Sequence, residues 1–224
     1  MVAAMTIVSR RVQRPLAAVS AAVLASAAFA VQTSSFEEAL KRKPDLEHGR
    51  RLYEACATCH QPDGGGVADG RIPSIAGQHY TVILMQMAEF RETERIDLRM
   101  NAISARHRLE GPQDLADVAA FVSSLPVKAT RERGSGENAG FGRQAYERAC
   151  QRCHGEAAEG DEKARVPRLA GQHYGYLVKQ LEMMSDNERR STGSDHRKLL
   201  EGLTKEEIGG MADFLARLDP VARP

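Results

Sequence analysis

The 224-residue sequence contains no tryptophan, and aromatic residues make up only 5% of it. A domain normally draws much of its buried area from such rings, so something else must fill the core here. Strand signals are scarce as well: β-branched residues rarely alternate, and glycines gather at 64–66 and 155–160, which argues against a β fold and for a mainly helical one. There is no large excess of either charge, the formal net charge being +1. That balance excludes the basic footprint expected of a nucleic-acid-binding protein. Cysteine is limited to four residues.

The first thirty residues read differently from the rest. Arg10, Arg11 and Arg14 give a positive start, Pro15 to Ala28 form a mostly small and apolar run, and Ala28-Phe29-Ala30 fits the small-x-small cleavage rule. Residues 1–30 are therefore expected to be a signal peptide, cut after Ala30, that exports the chain to the bacterial periplasm. A retained anchor is the competing reading, but the apolar run falls short of the roughly 20 residues that span a bilayer. Removing three arginines leaves 28 basic against 30 acidic side chains, a net charge of about −2.

Self-comparison gives the organisation. Cys56-Ala57-Thr58-Cys59-His60 recurs 94 positions later as Cys150-Gln151-Arg152-Cys153-His154, and Pro73 to Tyr80 recurs at the same offset as Pro167 to Tyr174. Tyr53 matches Tyr146, one position off. Leu115, Val118, Val122 and Leu125 form a helical stripe that returns as Ile208, Met211, Leu215 and Leu218, 93 positions on. Each half is expected to end in an amphipathic helix, the first opened by Gly111-Pro112 and the second by a Thr204/Glu207 capping box. Further helices are expected before each cysteine pair, over Tyr80 to Glu92 and over Tyr174 to Met184. The stretch from Pro126 to Gly140 has the composition of a linker. The expected division is 31–135 for the first domain, including the start of the linker, and 136–224 for the second. Domains this small bury too little surface to be comfortable without a metal, disulfide or cofactor.

All four cysteines lie in the two C-x-x-C-H motifs, which read as covalent attachment sites for c-type haem. Cys56 and Cys59, and likewise Cys150 and Cys153, stand about one helical turn apart, so each pair can add to the two vinyl groups on one porphyrin edge. The following histidine, His60 or His154, then falls where it can bind the iron. A single C-x-x-C could equally be a redox dithiol, a disulfide or half of a zinc site. Two copies, each with histidine attached and in a repeated context, favour two haem c groups.

With these motifs in place, residues 38–218 resemble the dihaem cytochromes c4, two fused class-I cytochrome c domains. The resemblance implies an all-α fold of two tandem cytochrome c-like domains, each wrapped around one covalently attached haem c. It also implies that the carbonyls of Pro73 and Pro167 accept a hydrogen bond from the proximal histidines and orient them. The first copy, Pro-Ser-Ile-Ala-Gly, departs mildly from the usual P-x-L-x-G. In such domains the Gly-Gln-His-Tyr segment starts a helix near the haem edge, which makes His79 and His173 poor ligand candidates.

Class-I domains usually supply methionine as the sixth iron ligand, and Met100, in a polar and loop-like stretch, fits the first half; His107 is the reserve. Adding 94 to Met100 lands on Ser194, and Asp186 to Leu203 contains no methionine. His196 is the remaining strong ligand in that loop and the candidate for the second iron. Met183, Met184 and Met211 read as packing residues. Arg91, Arg95, Arg99, Arg106 and Arg108, nearly balanced by nearby acids, read as a solvated mixed-charge face.

Two six-coordinate irons leave no open site for substrate, so the expected role is a carrier of single electrons, not an enzyme. Its partners would be a redox donor and acceptor, membrane-bound respiratory complexes among them, with no nucleic acid. An alternative makes the chain the electron-accepting subunit of a dehydrogenase, for example beside a flavoprotein of the sulfide-oxidising kind. A further rival, peroxidase chemistry at the second haem, requires His196 to be absent from the iron.

Overall fold

In the computed structural model, which describes residues 34–129 and 132–220, the two repeats become two similar sets of helices. The segment expected to be a signal peptide lies outside the described residues. The first half comprises α1 (Ser35–Leu40), α2 (Leu46–His60), α3 (Tyr80–Arg91), α4 (Leu98–Ser104) and α5 (Pro112–Ser124). The second comprises α6 (Ala139–Ala149), α7 (Gln151–His154), α8 (Tyr174–Ser185), α9 (Ser194–Leu200) and α10 (Lys205–Arg217). Among the described residues the only β pairing is an isolated bridge between Asp161 and Val166, so the all-α expectation holds.

Local chemistry explains where these helices begin. Asp45 accepts from the backbone N–H groups of Glu47 and His48 at the start of α2, and Asp97 does the same for Arg99 and Met100 at the start of α4. Pro112 opens α5 behind Gly111, and Thr204 with Glu207 forms a complete capping box on α10. Both features match the sequence-based expectation.

Each half is built on the crossing of its first long helix with its last. Gly49 of α2 lies against Asp117 of α5, and a Cβ there would sit 2.1 Å from the Asp117 carbonyl oxygen. The same crossing recurs 93 residues later, where a Cβ on Gly142 of α6 would meet the Gly210 carbonyl carbon of α10 at 1.8 Å. Around the first crossing Leu115, Val118 and Val122 are buried, and around the second Ile208, Met211 and Leu215; each contributes about 1.5–3 kcal/mol by leaving water. Tyr53 packs on Phe121 with ring centres 5.3 Å apart, and Tyr146 on Phe214 at 5.6 Å. The tyrosine hydroxyls donate to the carbonyls of Gln61 and Gly155.

A helix break accounts for the one-position offset between Tyr53 and Tyr146. In the first half α2 runs unbroken through the cysteine motif. In the second, an extra residue separates the tyrosine from the first cysteine, and the chain absorbs it by breaking at Cys150 (φ −117°, ψ −35°) between α6 and α7. Both tyrosines thereby reach equivalent carbonyls, 94 residues apart. Within the linker stretch, the amides of Gly134 and Gly136 donate to Asp213, and Glu132 accepts from the amide of Gly175. These contacts tie residues 132–136 to the second half.

Replacing Gly142 with alanine tests the close crossing. Alanine gains about 1 kcal/mol of helix propensity, but its Cβ has only backbone to displace. A net loss of about 2 kcal/mol is expected in denaturant unfolding.

Candidate functional site

His60 closes α2 and His154 closes α7, and the next residue leaves each helix with positive φ, 67° at Gln61 and 87° at Gly155. Both imidazoles are buried, and each Nδ1 lies 3.0 Å from a carbonyl oxygen, that of Pro73 in the first half and Pro167 in the second. A carbonyl can only accept, so Nδ1 carries the hydrogen and Nε2 keeps its lone pair. Burial pushes the pKa of both rings below the usual histidine range, although the carbonyl contact opposes it. Neutral imidazole is the form a metal binds.

A tight loop brings the proline carbonyl to the histidine. Gly66 and Gly160 have φ near +72° and donate to the carbonyls of His60 and His154. A Cβ on Gly66 would lie 2.5 Å from the Pro73 carbonyl, and one on Gly160 2.6 Å from the Pro167 carbonyl carbon. Only glycine permits both the backbone angle and the approach.

Two clefts open beside these histidines. Cys56, Cys59, His60 and Met100 line the first; Cys150, Cys153, His154 and His196 line the second. None of the four cysteines is paired with another. Burial, followed by the neighbouring cysteine, pushes the Cys56 and Cys150 thiols up to about 11, opposite to the low values of reactive dithiols. Among the described residues no cluster of three metal-ligating side chains gathers as a structural zinc would require. A cysteine pair on the cleft wall, its first member half-buried and its second exposed, a neutral imidazole and a largely apolar cleft in each half fit a covalently attached haem.

Met100 and His196 lie on short helices rather than in the loops their polar surroundings suggested. Each is the third residue of its helix, Met100 in α4 and His196 in α9. The 94-residue offset persists through Thr93 and Asn187, both with φ near +60°, and through the matching backbone bonds of Arg95 and Arg189. The cap of α4 is Asp97 and that of α9 is Gly193, 96 apart. Two extra residues before Gly193 therefore carry His196 to the helix position of Met100, a correspondence hidden from a constant offset. The rings of His154 and His196 have centres 6.3 Å apart and planes inclined at 43°. Burial, then the charge of Arg189, pushes the His196 pKa down.

Other candidates fall elsewhere. His107 is exposed and lines neither cleft. Met184 and Met211 are buried and line the second cleft. Met183 does more than pack within its own half: with Tyr176 and Lys179 it closes the first cleft from the second half. Nothing in the repeat signalled this, because the equivalent of Met183 is Glu89. The arginine cluster is also divided, since Arg95 is buried and Arg91 donates to the carbonyls of Ser104 and Leu109.

The Gly-Gln-His-Tyr segments do start helices, but their polar side chains join the two halves. Gln78 donates to the carbonyl of Arg168 and accepts from its amide, both at 2.9 Å. Gln172 makes the same pair of bonds to Ser74, at 2.7 and 2.9 Å. His79 Nε2 meets the Glu159 carbonyl at 2.9 Å, and His173 Nε2 meets that of Gly65 at 2.8 Å. Each contact is matched by its repeat equivalent. Ser74 and Arg168 directly follow the prolines that hold the buried histidines.

Two helical domains, each ending its cysteine-bearing helix on a neutral histidine held by a proline carbonyl, define a two-domain haem protein of the cytochrome c type. The Cytochrome c family model matches residues 46–126 and 141–219. Cytochrome c4 of Azotobacter vinelandii is 30% identical over 190 residues, covering 78% of this chain and 89% of the relative. A thiosulfate dehydrogenase electron acceptor of Stutzerimonas stutzeri is 30% identical over 174 residues, covering 73% and 79%. The crystal structure of reduced recombinant cytochrome c4 from Pseudomonas stutzeri superimposes with a TM-score of 0.71 at 25% identity, covering 79% of this chain and all of that one. The chain belongs to the cytochrome c family and, within it, to the dihaem cytochromes c4. It binds two covalent haem c groups and serves electron transport.

Replacing Gln78 and Gln172 together by alanine removes four cross-boundary hydrogen bonds. A loss of about 2–5 kcal/mol is expected in denaturant unfolding, with faster hydrogen exchange at the amides of Ser74 and Arg168.

Proposed function

We propose that Cys56 and Cys59 would hold the first haem, with His60 and Met100 as ligands of its iron, and that Cys150 and Cys153 would hold the second, with His154 and His196. Pro73 and Pro167 orient the two proximal rings. The distance between His154 and His196 carries the assignment of the second site. Ring centres 6.3 Å apart leave room for one metal that both imidazoles would hold at about 2.0 Å each, and this supports His154 and His196 as the pair that would bind the second iron.

When bound, each haem supplies one reversible electron. The protein's part would be to offer the iron of each haem two ligands: His60 and His154, oriented by the proline carbonyls, and Met100 and His196, each the third residue of a short helix, α4 capped by Asp97 and α9 opening at Gly193. With no ligand position left open to substrate, the chain carries single electrons between redox partners. The proposed setting is the periplasm, after removal of residues 1–30, with 31–135 and 136–224 as the two domains. No described helix is long and apolar enough to cross a membrane. Methionine raises a haem potential relative to a second histidine, so the first site is the higher in potential.

A second reading has the chain accept electrons from a particular dehydrogenase, as its subunit or dedicated partner. The likeness to a thiosulfate dehydrogenase electron acceptor favours it. Stable co-purification with a dehydrogenase, a flavoprotein included, would separate this reading from a freely diffusing carrier between respiratory complexes.

Low-temperature magnetic circular dichroism of the holoprotein is expected to show one methionine–histidine and one bis-histidine site. Met100→Ala removes the methionine signature alone, and His196→Ala turns only the second haem high-spin. Potentiometric titration is expected to resolve two steps; coincident high potentials, or an unchanged second haem in His196→Ala, would count against the assignment.

A further inference from the structure

Two guanidinium groups are buried where the halves meet. Arg95 is 6% exposed and Arg189 is 15% exposed at its side chain. They stand 94 residues apart, at equivalent positions of the repeat, and both donate to Gln180 Oε1, at 2.6 and 3.4 Å. Arg95 lines the first cleft and Arg189 the second. The other partners of Arg95 are neutral: Gln86 Oε1 at 3.0 Å, Tyr176 Oη at 2.7 Å and the face of Phe90. Arg189 meets one carboxylate, Glu89 of the first half, at 3.6 Å.

Largely buried cations that repel one another, only one of which meets a carboxylate, are costly without further anions. Burial, then the charge of Arg95, pushes the Arg189 pKa down, while Glu89 opposes the shift. Thr192, 7% exposed on the wall of the second cleft, also has a hydroxyl without a hydrogen-bond partner. The cofactor that both clefts receive carries propionate carboxylates on its rim, the kind of anion these donors lack.

We infer that Arg95 and Arg189 are the counter-ions for the carboxylates of the two haems, and that Glu89, reaching from the first half into the second cleft, makes the two sites electrostatically unequal. Glu89 lines the second cleft and is held there by Ser191 Oγ at 3.0 Å. Its negative charge offsets Arg189 and favours the more positive, oxidised state of the second iron. The first cleft has no such acid at the matching position: there the repeat places Met183, which lines it from the second half. Asp97, the acid that does line the first cleft, is paired with Arg99 at 3.0 Å and not with Arg95, so no contacting carboxylate offsets Arg95, which favours the reduced state of the first haem. Glu89 is a positioning residue in this scheme, acting through charge and through Arg189. The inference rests on the two-haem reading but not on the identity of either sixth ligand.

Glu89→Gln in the full-length holoprotein is the test, with each haem followed by its own spectroscopic signature during redox titration. The second midpoint is expected to rise and the first to move less. One electron shared between the haems should shift toward the second by three- to tenfold, about 30–60 mV at 59 mV per tenfold. Glu89→Asp, which keeps the charge, should stay near wild type. Met183→Glu supplies the mirror test by placing an acid on the first cleft, and should lower the first midpoint. Less than a twofold shift in Glu89→Gln, an equal shift in Glu89→Asp, or an unmoved first midpoint in Met183→Glu would overturn the inference. A wrong ligand assignment would appear separately, in the axial signatures of the unmodified protein.

Discussion

The hydrogen bond from a buried histidine Nδ1 to a proline carbonyl organises each half. It fixes the tautomer, turns the ring, and ties the end of the cysteine-bearing helix to a loop 13 residues further on. The residue after that proline, Ser74 or Arg168, presents its amide and carbonyl to a glutamine of the other half. One loop thus orients a buried imidazole, the proposed iron ligand, and docks a neighbour. This coupling suits a relay between two sites, because the relative placement of the halves and the aim of each imidazole are set by the same few backbone groups.

The halves share one pattern and differ by short changes of spacing. One extra residue before Cys150 is absorbed by a helix break that leaves the histidine and its proline partner undisturbed. Two extra residues before Gly193 shift α9 and bring a histidine to the position methionine holds in α4. The clefts tolerate these changes because their close helix crossings, Gly49 on Asp117 and Gly142 on Gly210, lie away from both insertions. Asymmetry is carried by the distal helices and by Glu89 against Met183, while the proximal side and the interface glutamines keep the repeat.

The family, the two attachment motifs and the helical class were legible in the residues because covalent chemistry and helix periodicity are local. A cysteine pair and its histidine must lie within one turn of helix, and an amphipathic stripe must recur at its fixed spacing wherever it packs. The capping box at Thr204 and the proline opening α5 were readable for the same reason. Pro73 and Pro167 followed from the resemblance, and each stands against its histidine in the structure.

What proximity between distant segments produces could not be read that way. The Gly-Gln-His-Tyr segments start helices as expected, and their glutamines line the second cleft, but no residue pattern signalled that the same side chains would also bond across the boundary between halves. Arg95, expected in solvent, is buried among neutral partners from both halves, and Met183 closes a cleft that belongs to the other repeat. Each outcome depends on how two folded bodies meet, and a pattern along one chain carries no record of the surfaces that will face one another.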